Sequence, residues 1–284
     1  MLEQAGVSIE ANGHRTLLKW HRGHRFGGDV SFTRERIAQG MACGASVEID
    51  LVRFADAGFA VLHDETLDRA TTGQGPVLAA TAYYLRSLRL RDHQGAETGH
   101  PIMLIDDLGR LLEESAQAAG AVLQLDLKER SADIRDADIA AFAEAIAPVA
   151  RSVILSGGDA VAVERLSRAV PDMPIGYDPC HEGAMERLME SHDFEGFVTT
   201  ALVASPRAEM IYLHHKLVLF ADSMGFDLIN AFHAEGRRID AYTINKAIPG
   251  VEPDVLRLLA LKADQITTDD PVGLQRLLAD KLSI

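Results

Sequence analysis

Eight short strand-like runs alternate with amphipathic helical stretches along the chain, and no other feature restricts the fold so strongly. The runs lie at 17–20, 47–52, 121–127, 153–155, 174–177, 210–219, 238–245 and 265–267. Between them, at 33–43, 105–117, 134–146, 160–169, 182–190, 226–234 and 253–261, apolar residues recur at helical spacing. In the first helical stretch Ile37 and Met41 stand four apart on one face, and Gly44 ends it. A strand, a helix and a second strand within about 35 residues form a βαβ unit. Eight such strands over about 250 residues predict an α/β fold of the (β/α)8 TIM-barrel type. The 284 residues suffice for one large barrel.

One stretch breaks the alternation. After the second strand the chain turns at Asp56-Ala57-Gly58 and returns through 59–62 to His63-Asp64. It then passes a Thr71-Thr72-Gly73 turn and a polar loop at 92–100 before the next helix. This predicts a single domain over 1–284 with a small subdomain inserted at about 54–100.

In α/β barrels chemistry collects at the carboxyl ends of the strands, and here those ends are charged. The first strand runs into His21-Arg22-Gly23-His24-Arg25. The second carries Glu48 and Asp50, which alternation places on one face while Val47, Ile49 and Leu51 take the other. The third ends in Asp126 and Lys128. Paired acids on an apolar strand either look at water or hold a ligand. Three carboxylates without a ligating Cys suit a hard cation such as Mg²⁺ or Ca²⁺. Arg22 and Lys128 beside them suit a phosphate oxyanion. His21 and His63 remain for proton transfer. The set describes metal-assisted cleavage of a phosphate ester.

A formal net charge of -14 argues against nucleic acid or an anionic membrane surface as partner, and does not exclude a small anionic substrate held in a locally positive pocket. No apolar run is long enough for membrane insertion, and the first residues lack a basic segment followed by an apolar one, so a cytoplasmic protein is expected. Cys43 and Cys180 lie far apart without metal-site spacing and read as buried thiols. Oligomeric state is not encoded in any recognisable pattern.

HRG at 21–23, EID at 48–50, HDETLDRATTG at 63–73, DLK at 126–128, AYTIN at 241–245 and ITTDDP at 266–271 together resemble the glycerophosphodiester phosphodiesterase family. The resemblance runs from about residue 17 to 280. It implies a TIM barrel with a small insertion, a divalent metal ion, and hydrolysis of a phosphodiester to a phosphomonoester and an alcohol. By the same match Glu48, Asp50 and Asp126 hold the metal, His21 and His63 form the acid/base pair, and Arg22 and Lys128 hold the phosphate. The chain departs from the family where a Pro-Glu-Asn-Thr motif is usual, having Val30-Ser31-Phe32-Thr33. Asp126 stands for the usual glutamate, and Tyr242 for the usual late tryptophan. The lost motif motivates one alternative, a sugar phosphodiester of the agrocinopine type as substrate. A second, from a different class, is a barrel that binds phosphodiesters without cleaving them, against which the presence of both histidines and all three acids speaks.

Other residues have plainer readings. His24 and Arg25 either grip substrate or are solvated, and Trp20 reads as core. The Thr71-Thr72-Gly73 turn reads as structural. His214 and His215 fall on the sixth expected strand, so one of them would face the barrel interior.

Overall fold

A computed structural model describes residues 5–282. Strand β1 (Ser8–Ala11) pairs antiparallel with β2 (His14–Trp20), followed by α1 (Arg34–Cys43) and β3 (Ser46–Arg53). Then come β4 (Phe59–Val61), α2 (Ala82–Ser87), β5 (Arg89–Arg91), β6 (Glu97–Pro101) and α3 (Ile105–Glu114). Next are β7 (Val122–Leu127), α4 (Asp136–Ile146), β8 (Val153–Gly157), α5 (Ala160–Ser167) and β9 (Gly176–Tyr177). Helices α6 (Ala184–Ser191) and α7 (Phe194–Ala204) lead to β10 (Met210–His214), α8 (His215–Ser223) and α9 (Leu228–Ala234). The chain finishes with β11 (Arg238–Ile244), α10 (Glu252–Ala260), β12 (Gln265–Thr268) and α11 (Pro271–Leu282).

Parallel pairing runs β8-β7-β3-β2-β12-β11-β10-β9. A parallel bridge between Leu155 and Ile175 joins the two ends, so the eight strands make a (β/α)8 barrel. Strand β4 adds to β3 antiparallel, and β5 pairs with β6 in a separate two-stranded sheet. The β12–β2 pairing closes the ring between the last and first barrel strands, placing Thr267 opposite Lys19.

Two apolar arcs pack the outer faces of the strands against the helices. One joins Trp20, Val47, Ile49, Leu123 and Leu155 to α1, α3, α4 and α5; the other joins Leu18, Ile211, Leu213, Ile239 and Ile266 to the later helices. Contact is close where α1 crosses β3: a Cβ on Gly40 would lie 2.4 Å from Val47 Cγ2.

The inner faces are largely polar. Ile154, Met210 and Tyr212 cluster inside, but beside them sit Lys19, Ser46, Gln124, Ser156, Asp240, Gln265 and Thr267, all buried. Each is partnered. Lys19 Nζ lies 2.7 Å from Asp240 Oδ2, with both side chains at most 1% exposed. Removing one member of such a pair costs about 3–5 kcal/mol, because the other is left as an uncompensated buried charge.

The run 210–219 does not form one strand. It is extended only to His214 and helical from His215, so His214 stays at the barrel mouth while His215 begins α8. An apolar run of that length fits a buried strand or a buried helix equally well, and periodicity cannot divide it. Helix α7 lies where no helix was expected. Its sequence FEGFVTTALVA is rich in β-branched residues, yet Asp193 caps it by accepting from the Gly196 N–H.

Candidate active site

The turn after β2 sets the geometry. Trp20 is buried and its indole donates to the Gly6 carbonyl at 2.8 Å, which makes it core. The backbone then tightens through His21–Gly23 with Arg22 left-handed at φ 54°. That conformation is strained for any residue but glycine. It aims the Arg22 N–H at Glu48 Oε2, 2.8 Å away, and brings Arg22 Nε to 3.4 Å from Asp50 Oδ2. The hydrogen bond to Glu48 helps hold the turn in that conformation.

Strand register brings the acids together. Asp50 on β3 stands opposite Asp126 on β7, and Asp126 opposite Ser156 on β8. One carboxylate oxygen from each of Glu48, Asp50 and Asp126 lies within 4.8 Å of the others. Glu48 is 5% and Asp50 1% exposed, so the paired acids of β3 do not face water. Lys128 Nζ reaches both Asp50 Oδ1 at 2.9 Å and Asp126 Oδ2 at 2.5 Å. Burial, then the neighbouring carboxylates, raise two of these acids: Glu48 above its ordinary value and Asp50 to about 7. Burial also acts on Asp126, but the Lys128 ammonium and the Ser156 hydroxyl outweigh it and hold that carboxyl low.

Both histidines are oriented by carboxylates. His21 Nδ1 lies 2.6 Å from Asp269 Oδ1, leaving Nε2 at 3.9 Å from Glu48 Oε2. His63, just past β4, places Nδ1 2.9 Å from Asp64 Oδ1, and Arg69 grips Asp64 with two further hydrogen bonds. In each case the second ring nitrogen is left for the cavity.

These seven residues, His21, Arg22, Glu48, Asp50, His63, Asp126 and Lys128, line one cavity of about 400 Å³ at the strand ends. Asp178, His181, His214 and Tyr242 complete its far wall. His181 Nε2 pairs with Asp178 Oδ2 at 2.9 Å, and that hydrogen bond raises the imidazole above its ordinary value. The ring lies so close over Gly158 that a Cβ there would come within 2.3 Å of it.

Asp269, Asp178 and His181 escaped the sequence reading. Asp269 adjoins Asp270 just past β12, and nothing in the residue types separates the two. The structure does: Asp270 caps α11 by accepting from Gly273 N, while Asp269 turns to His21. His24 bonds Ser31 Oγ at 2.8 Å beside that pair, and Arg25 is buried, its guanidinium donating to the Ala5 carbonyl and lying over the Trp20 ring. Thr71 is buried and holds its own turn, donating to the Leu67 carbonyl and accepting from Gly73 N. Both cysteines are free thiols.

The donor set fits a hard divalent cation. It is all oxygen, two of its three acids are buried and Asp126 is partly so, and Asp50 Oδ2 accepts no hydrogen bond among the described residues. With all three carboxyls ionised, they carry one more charge than the two cationic side chains beside them, Arg22 and Lys128. Among the described residues no helix is long and apolar enough to cross a membrane.

The profile of the Glycerophosphoryl diester phosphodiesterase family matches residues 21–272. Solved structures agree on the fold. A glycerophosphoryl diester phosphodiesterase from Parabacteroides distasonis is 19% identical with a TM-score of 0.65, covering 97% of this chain and 90% of that one. A glycerophosphodiester phosphodiesterase from Agrobacterium tumefaciens is 20% identical with a TM-score of 0.65, covering 93% and 99%. An Oleispira antarctica phosphodiesterase, solved with the product sn-glycerol-3-phosphate, is 19% identical with a TM-score of 0.64, covering 92% and 96%. No curated protein sequence matches. With the family profile spanning the barrel from the His21 turn to the first residues of α11, the chain belongs to the glycerophosphoryl diester phosphodiesterase family and is a phosphoric diester hydrolase.

Proposed function

We propose that the chain hydrolyses a glycerophosphodiester to a phosphomonoester and an alcohol with the help of a divalent cation, Mg²⁺ or Ca²⁺. One observation carries this: three carboxylates converge in the same cavity as two carboxylate-supported histidines and two cationic side chains. Glu48, Asp50 and Asp126 would hold the cation, which when bound neutralises charge on a phosphoryl oxygen. Arg22 and Lys128 bind the remaining phosphate oxygens, Lys128 exchanging part of its contact with Asp50 and Asp126 for the diester. An attacking water gives its proton to one histidine as its oxygen bonds to phosphorus. The P–O bond to the alcohol breaks, and the other histidine delivers a proton to the leaving alkoxide. Asp269 and Asp64 keep the two rings aimed throughout. The product complex of the Oleispira relative supports a glycerol phosphate product here. The same reading takes residues 1–284 as one catalytic domain, with 54–100 as a lobe that supplies His63.

A sugar phosphodiester is the second reading, favoured by the segment before α1. Ser31 there is tied to His24, and Asp29, Ser31 and Phe32 line a further cavity of about 380 Å³ that shares His21 and His63. That leaves room for a bulkier alcohol. The test is product release from glycerophosphocholine and from sugar phosphodiesters, with EDTA and with Mg²⁺, Ca²⁺ or Mn²⁺ restored. Faster turnover of glycerophosphocholine supports the first reading and overturns the second; binding with no turnover under any cation overturns both.

A further inference from the structure

Asp126 is aimed from below, by hydrogen bonds that descend through the barrel interior to the Lys19–Asp240 pair. Ser156 Oγ donates to Asp126 Oδ1 at 2.9 Å. Gln124 Nε2 donates to Ser156 Oγ at 2.9 Å. Lys19 Nζ donates to Gln124 Oε1 at 2.5 Å. Lys19 in turn lies 2.7 Å from Asp240 Oδ2 and over the Tyr212 ring, and Thr267 donates to Asp240 Oδ1 at 2.7 Å. Lys19, Gln124, Ser156 and Asp240 are all buried.

The direction of this chain is dictated at its lower end. An amide side chain can present either its oxygen or its nitrogen to a neighbour, but an ammonium can only donate. Lys19 therefore draws the Gln124 oxygen to itself and turns the Gln124 NH₂ toward Ser156. Ser156 accepts there, so its single proton is free for Asp126. Every donor then points toward the acid cluster, and Asp126 is kept as an acceptor with one oxygen held from below and the other turned to Lys128.

We propose that Lys19, fixed by Asp240, is a positioning residue for Asp126, acting through Gln124 and Ser156. The role rests on the three acids holding a cation. Groups behind a ligand set its orientation and basicity, and their loss typically lowers metal affinity about 10–100-fold. A network that merely satisfied buried polar groups would leave cation affinity alone.

The test is Mn²⁺ binding by isothermal titration calorimetry on the wild type, Gln124→Glu, Ser156→Ala and the charge-removing pair Lys19→Met with Asp240→Asn, with a thermal melt of each. Gln124→Glu keeps the shape and the Lys19 contact but cannot donate to Ser156, whose proton it takes from Asp126. Expected is about 10–100-fold weaker Mn²⁺ binding in every variant that folds. Should the Lys19 pair fail to fold, Gln124→Glu and Ser156→Ala decide the matter. Affinity within about threefold of wild type in folded Gln124→Glu or Ser156→Ala overturns the relay while leaving the cation site intact. A wild type that binds no Mn²⁺ overturns the cation reading, and the relay with it.

Discussion

His21 Nδ1 sits 2.6 Å from Asp269 Oδ1, which ties the turn after the first barrel strand to the turn after the last, 248 residues away. The bond fixes the imidazole so that Nε2 faces Glu48. Asp269→Asn keeps the shape but removes the charge, and kcat should fall about 10–100-fold, as for other groups that orient a site residue. An unchanged kcat would show that the ring is aimed by something else.

The same pair leaves a mark on stability. Burial pushes Asp269 up, but the hydrogen bonds from His21 and His24 outweigh it and hold its folded value well below the ordinary carboxylate range. A depressed carboxyl stabilises the fold above its unfolded value of about 3.9, and that contribution is lost as pH falls through the folded value. The melting-temperature gap between wild type and Asp269→Asn should therefore be widest above about pH 5 and narrow steadily as pH falls below about 4, closing only as pH passes the folded value. A gap independent of pH would contradict it.

His21→Ala and His63→Ala should each lower kcat about 10²–10⁴-fold, the usual contribution of a positioned proton donor or acceptor. Both side chains lie at the cavity wall rather than in the apolar arcs, so circular dichroism should report a retained fold. A variant turning over at close to the wild-type rate refutes its role.

Chelation should reveal the charge imbalance. Asp50, pushed up to about 7 by burial and by Glu48, keeps a proton in the chelated native state that the unfolded chain releases. The stability from that proton is present below about pH 4 and lost as pH rises through about 7. A cation competes with the same proton, so Mn²⁺ affinity should rise as pH rises through about 7. At a hundredfold excess over Kd the cation adds about 2.7 kcal/mol, or roughly 5–10 °C in Tm. Melts in EDTA and in Mn²⁺ at pH 6 and 8 check both; equal Tm values at both pH settings exclude the site.

Gly40→Ala tests the packing of α1 on β3. Alanine gains about 1 kcal/mol in helix propensity, but its Cβ would meet Val47 Cγ2 at 2.4 Å. Overpacking costs about 1–3 kcal/mol, so the net loss should be up to about 2 kcal/mol in urea unfolding. Adding Val47→Ala should cost less in this background than in the wild type, because the clash is relieved. A Gly40→Ala protein more stable than wild type by the full propensity gain of about 1 kcal/mol contradicts the contact.

The barrel was legible because its signal is local and repeated. Each strand–helix unit carries its own period, and the HRG and DLK clusters fall at strand ends, where an α/β barrel puts its chemistry, with EID inside β3 and HD just past β4. Alternation alone placed Glu48 and Asp50 on one face. What it left open was what that face looks at, and ring closure decided this: the inward side of β3 meets β7 and the Arg22 turn, so both acids are buried together.

Where two residue types serve equally well, the sequence alone determined little. MIYLHHKLVL supports strand or helix at every position, and only packing of α8 against β11 and α10 ends the strand at His214. Asp269 and Asp270 are chemically identical neighbours, separated only by which one reaches His21. Lys19 looks like a surface lysine in an apolar run until β11 brings Asp240 beneath it. So the sequence by itself determined the order of strands and the chemistry at their ends, since backbone periodicity and residue type are local properties. The partners of each charged group were decided by tertiary structure, because a buried charge is tolerable only where closure of the barrel sets an opposite charge or a donor against it.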